Sequence, residues 1–299
     1  MSKYGLIAPR RYSEVIVANA FFACALLSVV TTICIVGILI KDTFVFFSTV
    51  SMWEFITNPQ WTPLFEPQNW GIRPLVYGTL TVTIGAIFIA LPVGLGSAIY
   101  LSEYASPRFR NVVKPILEIL AGIPTIVYGY FALVFITPVL QYFIPGLGVF
   151  NALSASIAVG IMVTPMISSL SEEAFRAVPN AMREGALALG STKYESTVKV
   201  VIPYALSGIV ASVVLAASRA LGETMIVTVA AGATPKLSLN PLESVQTLTA
   251  YIVQVTMGDT PAHSVEYFSI FAVGITLFVF TLVMNMAANY VTDRYRIGE

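Results

Sequence analysis

The sequence predicts an all-α integral membrane protein with six transmembrane helices and both termini in the cytoplasm. Three observations carry that expectation. Of 299 residues, 57% are apolar and only 11% charged, against about 25% charged in an ordinary soluble domain, so the polar shell a water-soluble fold needs is missing. The apolar residues fall in six long runs. The basic residues fall mostly in alternate connections. The same composition excludes a soluble enzyme and a disordered chain, and a formal net charge of +0 lacks the basic footprint of a nucleic-acid binder.

A membrane-crossing helix takes about 20 predominantly apolar residues. The runs are 15–40, 75–101, 119–143, 152–170, 203–231 and 267–291, and only the fifth contains charges, Arg219 and Glu223. The first run follows Lys3, Arg10 and Arg11 as a signal peptide would, but it far exceeds the about 7–15 apolar residues of a signal core and reads as a membrane anchor. Cys24 and Cys34 lie in it, too far apart on one helix to bridge. They read as small apolar fillers, not as a disulfide framework or metal site.

Orientation follows from Lys and Arg in the connections. Lys3, Arg10 and Arg11, then Arg108, Arg110 and Lys114, then Arg176, Arg183, Lys193 and Lys199, and finally Arg294 and Arg296 fall on one side. Lys41, Arg73 and Lys236 fall on the other, and Arg219 lies within a run. The basic side is cytoplasmic, so both termini are inside and the number of crossings is even. Of the outward loops, 41–74 carries Trp53, Trp61 and Trp70 and is expected along the outer membrane surface. The loop 232–266 contains an apolar stretch, 244–257, too short to span and expected to be re-entrant or interfacial. Pro145-Gly146 marks a turn. No low-complexity linker divides the chain, so 1–299 is expected to be one domain.

The cytoplasmic loop 171–202 predicts two short helices about a glycine turn. Ser169 with Glu172, and Thr192 with Glu195, fit capping boxes. Pro179 suits a first helical turn, and Gly190 a left-handed stop. A rigid helix–turn–helix below the bilayer is a handle for another protein. Gly185 and Gly190 have the spacing of a phosphate-cradling loop, but Ser191-Thr192 follows where Lys-Ser/Thr is required and no strand precedes, which excludes nucleotide binding there. The string Glu184-Gly185-Ala186, then Gly190, then Val200-x-Ile202-Pro203 resembles the EAA loop of ABC-importer permeases, with Gly185 where the family has Ala. The resemblance implies that the helix before Gly190 is a coupling helix docked on a cytoplasmic ATPase. It thereby places Glu184, Gly185, Ala186, Leu189, Gly190 and Pro203 at or near that junction.

Arg219 and Glu223 are expensive inside a membrane, about 2.5–3.5 kcal/mol each at a helix centre. Four residues apart, they are expected to share a helix face and pair. Two roles fit: an ion pair that fixes helix packing, or an Arg that meets an anion with its planar fork while Glu223 orients it. Thr79, Thr81 and Thr83 open the second run, and Thr164-Pro165 marks a kink in the fourth. Gly122, Pro124 and Gly129 weaken the start of the third, where Thr125 and Tyr128 follow. Broken helices are tolerated where they face protein or a cavity.

AGIPTIVYG (121–129), Met162-Val163-Thr164-Pro165 leading into Glu172-Glu173-Ala174, and SRALGETM around Arg219 and Glu223 resemble permeases of phosphate ABC importers. The RALGET string is more similar to the PstC-type than to the PstA-type half of that pair. The resemblance implies a type I importer permease fold and a substrate pathway that includes Arg219, Glu223, Thr125, Tyr128 and Thr164. It also implies a PstA-type second permease, a dimer of ATP-binding subunits, an external phosphate-binding protein, and residence in the plasma membrane of a prokaryote. This chain would hold no cofactor and do no hydrolysis, ATP being bound by the partner. A permease for sulfate, molybdate or phosphonate is the nearest alternative. A stand-alone secondary transporter would need inverted repeats, which are not evident, and the lone His263 gives little to a membrane enzyme.

Overall fold

The computed structural model describes residues 12–294. No β-strand occurs among them, only an isolated bridge between Trp61 and Trp70. Five helices are long and apolar enough to cross a membrane, and a sixth is reached if the bent pair Lys193–Tyr204 and Leu206–Leu221 is one span. Lys3, Arg10, Arg11 and Arg296 of the orientation argument lie outside the described residues.

Helix α1 (Tyr12–Thr49) runs past Lys41 and Asp42, well beyond the expected end at Ile40. In its most apolar stretch no residue is buried among the described residues, as suits a helix with lipid for a neighbour; Cys24 and Cys34 are exposed on it. A short α2 (Met52–Thr57) follows, and the Trp61–Trp70 bridge turns the chain back. The three tryptophans do not share one surface role. Trp61 is 1% exposed and Trp70 7%, while Trp53 is 76% exposed. Trp61 packs edge-on against Tyr251 at 4.9 Å between ring centroids, and Trp70 against Phe46 at 5.4 Å. Two of the rings therefore bury their large apolar area against other aromatics and not in the membrane interface.

Helix α3 (Arg73–Ile99) continues as a π-helical turn, Tyr100–Tyr104. The following basic connection is helical, α4 (Pro107–Gly122), started by the Ser106 hydroxyl, which accepts the Phe109 N–H at 3.3 Å. It ends at Ile123-Pro124. The third apolar run thus begins at Thr125, not Ile119, and comprises α5 (Thr125–Phe131), a π-helical turn (Ala132–Ile136) and α6 (Thr137–Phe143). Gly146, at φ +91°, makes the expected turn.

Helix α7 (Ala152–Arg176) is capped by Asn151, which accepts the Ser154 N–H at 2.7 Å, and accommodates Pro165 without ending. The capping box expected at Ser169 does not form, because Ser169 lies mid-helix: Glu172, Glu173 and Ala174 prolong the helix beyond the apolar run. Helices α3 and α7 form the centre of the core through Ala86, Ala90, Ala155, Ala158 and Val159, all fully buried. Small residues let membrane helices approach where no hydrophobic drive separates lipid from protein. A Cβ on Gly160 would lie 3.0 Å from the Ala86 carbonyl oxygen. Gly160→Val is therefore expected to cost about 1–3 kcal/mol, read as a lower melting temperature of the detergent-purified protein; an unchanged melting temperature rejects the close approach.

Three short helices follow: α8 (Asn180–Ala188), α9 (Lys193–Ser196), and α10 (Ile202–Tyr204) after a π-helical turn, Thr197–Val201. The chain then bends by 68° into α11 (Leu206–Leu221). The run 203–231 is thus not one helix. Pro203 stands before the bend, and the chain breaks again at Gly222–Thr224 before α12 (Met225–Ala230). Helix α13 (Leu248–Met257) occupies the short apolar stretch of the last loop, and its Leu248 N–H donates to Thr79 Oγ1 at 3.0 Å. It packs against the final helix α14 (Val265–Arg294), with the Tyr251 and Ser269 hydroxyls 2.7 Å apart.

Candidate functional site

Glycine sets the first feature. Helix α11 stops at Leu221 and Gly222, so Arg219 and Glu223 no longer share a helix face. The expected pair is not formed. Glu223 Oε1 instead accepts the N–H groups of Met225 and Ile226 at 3.0 and 3.2 Å, closing the free amino end of the next helical turn. Its carbonyl accepts the Thr249 hydroxyl at 2.7 Å, which ties the break to α13. Glu223 is 8% exposed, and a carboxylate so placed is satisfied locally. Arg219 is exposed. Its Nε points to the Met162 sulfur at 3.2 Å, and among the described residues it makes no ion pair.

Arg219 lines a cavity of about 360 Å³ between α4, α7 and α11. Its other polar lining side chains are Glu118 and Ser169; Leu117, Met166 and Leu170 contribute to the apolar wall. Sequence reasoning passed over Glu118, which sits one residue before the expected start of the third run. A carboxylate on an otherwise apolar helical turn was the available signal.

The other expected pathway residues do not line this cavity. The Tyr128 ring is buried, and its hydroxyl donates to the Leu120 carbonyl at 2.7 Å, fastening α5 to the end of α4. The Thr164 hydroxyl donates to the Gly160 carbonyl at 2.7 Å. Thr125 is the first residue of α5, half-buried at the Ile123-Pro124 break. Gly129 does not break the helix; a Cβ there would meet the Ile226 and Met225 backbone at 3.1 and 3.2 Å, so it sets the contact of α5 with α12.

The loop after α7 is built as its sequence suggests. Gly190 has φ +87°, a conformation costing an L side chain about 1–2 kcal/mol. Around it the N–H groups of Gly190 and Ser191 return to the carbonyls of Leu187 and Ala186 at 3.0 and 3.1 Å. The Thr192–Glu195 capping box is complete, and the hydrogen bonds from Thr192 and the nearby Lys199 hold the Glu195 carboxyl below its usual range. On α8 only Ala186 is buried; Glu184 and Gly185 are exposed, and Leu189 at the turn is 90% exposed.

Arg183 holds this loop to the helix bundle. Its Nη1 donates to the Val178 carbonyl and its Nη2 to the Phe175 carbonyl, each at 2.6 Å, and Nη2 pairs with Glu103 Oε1 at 3.0 Å. The loop around α8 is thereby tied to the ends of both α7 and α3. Nearby, Glu172, 1% exposed, is met by Lys114 at 2.9 Å, Arg110 at 3.5 Å and Arg176 at 4.0 Å, joining α4 to α7. Arg183→Ala removes the ion pair to Glu103 and the side-chain donors to the Val178 and Phe175 carbonyls, and an expected loss of about 3 kcal/mol follows. Limited proteolysis of the loop in membranes checks this; wild-type resistance overturns it.

Comparison with known proteins places the chain. It is 32% identical over 279 residues to the probable ABC transporter permease protein YqgH of Bacillus subtilis, covering 92% of this chain and 89% of that one. It is 35% identical to the phosphate transport system permease protein PstC of Mesorhizobium japonicum, covering 81% and 78%. Among solved structures, a bacterial alginate ABC transporter matches with a TM-score of 0.65 at 16% identity over 96% of this chain and 99% of that one. The MetNI methionine ABC transporter in an inward-facing form matches with 0.61 at 20% over 78% and 99%. The fold is that of type I ABC importer permeases. Residues 90–297 match the family described as the binding-protein-dependent transport system inner membrane component, and the chain belongs to that family of multi-pass membrane permeases.

Proposed function

We propose that this chain is a permease subunit of an ATP-driven phosphate importer, forming half of a translocation pathway that works by alternating access. The observation that carries the anion is Arg219. It is an arginine within an apolar run, set at a cavity, with no carboxylate partner among the described residues. The choice of phosphate is supported by relatives such as the PstC proteins at 32–35% identity. In this reading the chain crosses the inner membrane six times as one domain with both termini cytoplasmic, the bent pair α9–α11 supplying the fifth crossing.

A PstA-type permease lies against the exposed face that carries Arg219. Two copies of an ATP-binding subunit hold the nucleotide, and α8 with Leu189 and Glu184 seats in one of them. ATP binding moves α8, Arg183 transmits the displacement to α3 and α7, and the cavity changes side. An external phosphate-binding protein delivers the anion. Arg219 takes it with paired hydrogen bonds and loses it when the cavity opens inward.

The test is uptake of radiolabelled phosphate into proteoliposomes containing this chain, its partner permease, the ATPase and the binding protein. Uptake requires all four and ATP. Transport by this chain alone overturns the reading in favour of a secondary transporter. Stronger uptake of sulfate, molybdate or phosphonate than of phosphate reassigns the anion.

A further inference from the structure

The cavity at Arg219 holds two charges of opposite sign. Glu118 on α4 and Arg219 on α11 line the same space yet form no ion pair among the described residues. No other charged side chain lines it, Ser169 is the remaining polar one, and the walls are apolar. Glu223, the carboxylate nearest in sequence to Arg219, is committed to capping α12. An occupant of the cavity therefore meets a donor fork on one side and an acceptor on the other.

An ionised carboxylate only accepts hydrogen bonds, and a guanidinium only donates them. A fully deprotonated tetrahedral anion such as sulfate satisfies Arg219 and presents lone pairs to Glu118, which repel. An oxyanion that keeps a proton at neutral pH, as inorganic phosphate and arsenate do, presents oxygens to Arg219 and an O–H to Glu118. With the partner permease of the proposed assembly closing the cavity over its apolar walls, the polar group left unmatched is the costly one. A site built to receive a hydrogen-bond donor rejects the analogue that lacks it. We propose that Glu118 is a specificity-determining residue that makes this cavity selective for protonated oxyanions. The inference rests on the reading of the cavity as part of the anion pathway.

The assembled transporter, purified without the external binding protein, tests it by equilibrium binding of radiolabelled inorganic phosphate with arsenate or sulfate as competitor. Wild type is expected to release phosphate to arsenate and at least about tenfold less readily to sulfate. Glu118→Gln, close in shape and on an exposed helix position, is expected to weaken phosphate binding while sulfate competition, relative to arsenate, improves at least about tenfold. Glu118→Asp is expected to preserve the preference for arsenate. Sulfate competing as well as arsenate in wild type, or unchanged sulfate competition in Glu118→Gln, overturns the role of Glu118 while leaving the pathway reading intact. Absence of phosphate binding by wild type, or full binding by Arg219→Gln, removes the cavity from the pathway and the inference with it.

Discussion

Arg219→Gln is expected to lower phosphate uptake by the assembled transporter to about a hundredth of the wild-type rate, with the complex still assembling. Hydrogen bonds to a charged group are worth about 1.5–3 kcal/mol, and glutamine forfeits both the charge and the fork. Assembly survives because Arg219 supports little else: it is exposed, and its recorded side-chain contact is the Met162 sulfur. Arg219→Lys, which keeps the charge without the planar fork, is expected between the two. Normal uptake by Arg219→Gln takes this residue out of the pathway. The matching change at Glu223 has a different expected signature. Glu223→Gln weakens the charged acceptor of the Met225 and Ile226 N–H groups at the turn into α12 and leaves the main-chain tie to Thr249 in place, so it acts on stability as well as transport.

Glu184→Lys is the second large effect. Glu184 stands exposed on α8, on a segment made rigid by the Gly190 turn, the Thr192 box and the Arg183 clamp. Its substitution leaves the chain's own packing alone. Reversing a charge on a docking face sets like against like, at a cost of several kcal/mol where the contact is close. Copurification of the ATPase with the membrane subunits is therefore expected to fall at least about tenfold, and uptake with it. Unchanged copurification argues that α8 is not the docking element. Deleting 179–190 and retaining uptake overturns the coupling role altogether.

Much of the fold was legible because lipid imposes a crude, strong demand: long uncharged runs. The loop was legible for a different reason, since Gly190 and Thr192 act on their own neighbours. Helix ends were read less well where helix-forming polar residues prolong an apolar run, as Glu172 does in α7, or where a proline splits one, as Pro124 does. The Arg219–Glu223 pair failed because four-residue spacing means one face only within an unbroken helix, and Gly222 ends this one. The Arg183–Glu103 link spans 80 residues of sequence and leaves no periodic trace. Glu118 and Arg219 line one cavity only because α4 folds beside α7. Trp61 and Trp70 lie in a polar-looking loop, and nothing local announces that they turn inward, toward Tyr251 and Phe46.

The placement of those indoles gives the chain a built-in optical asymmetry. All three tryptophans stand near the Arg73 end of α3, whereas Arg183 grips Glu103 at its other end, about 45 Å away at about 1.5 Å per residue. Tryptophan emission thus reports one pole alone, with Trp53 open to aqueous or lipid quenchers and its two companions shielded. A spectral change evoked by nucleotide at the opposite pole is then a message relayed along the whole rod.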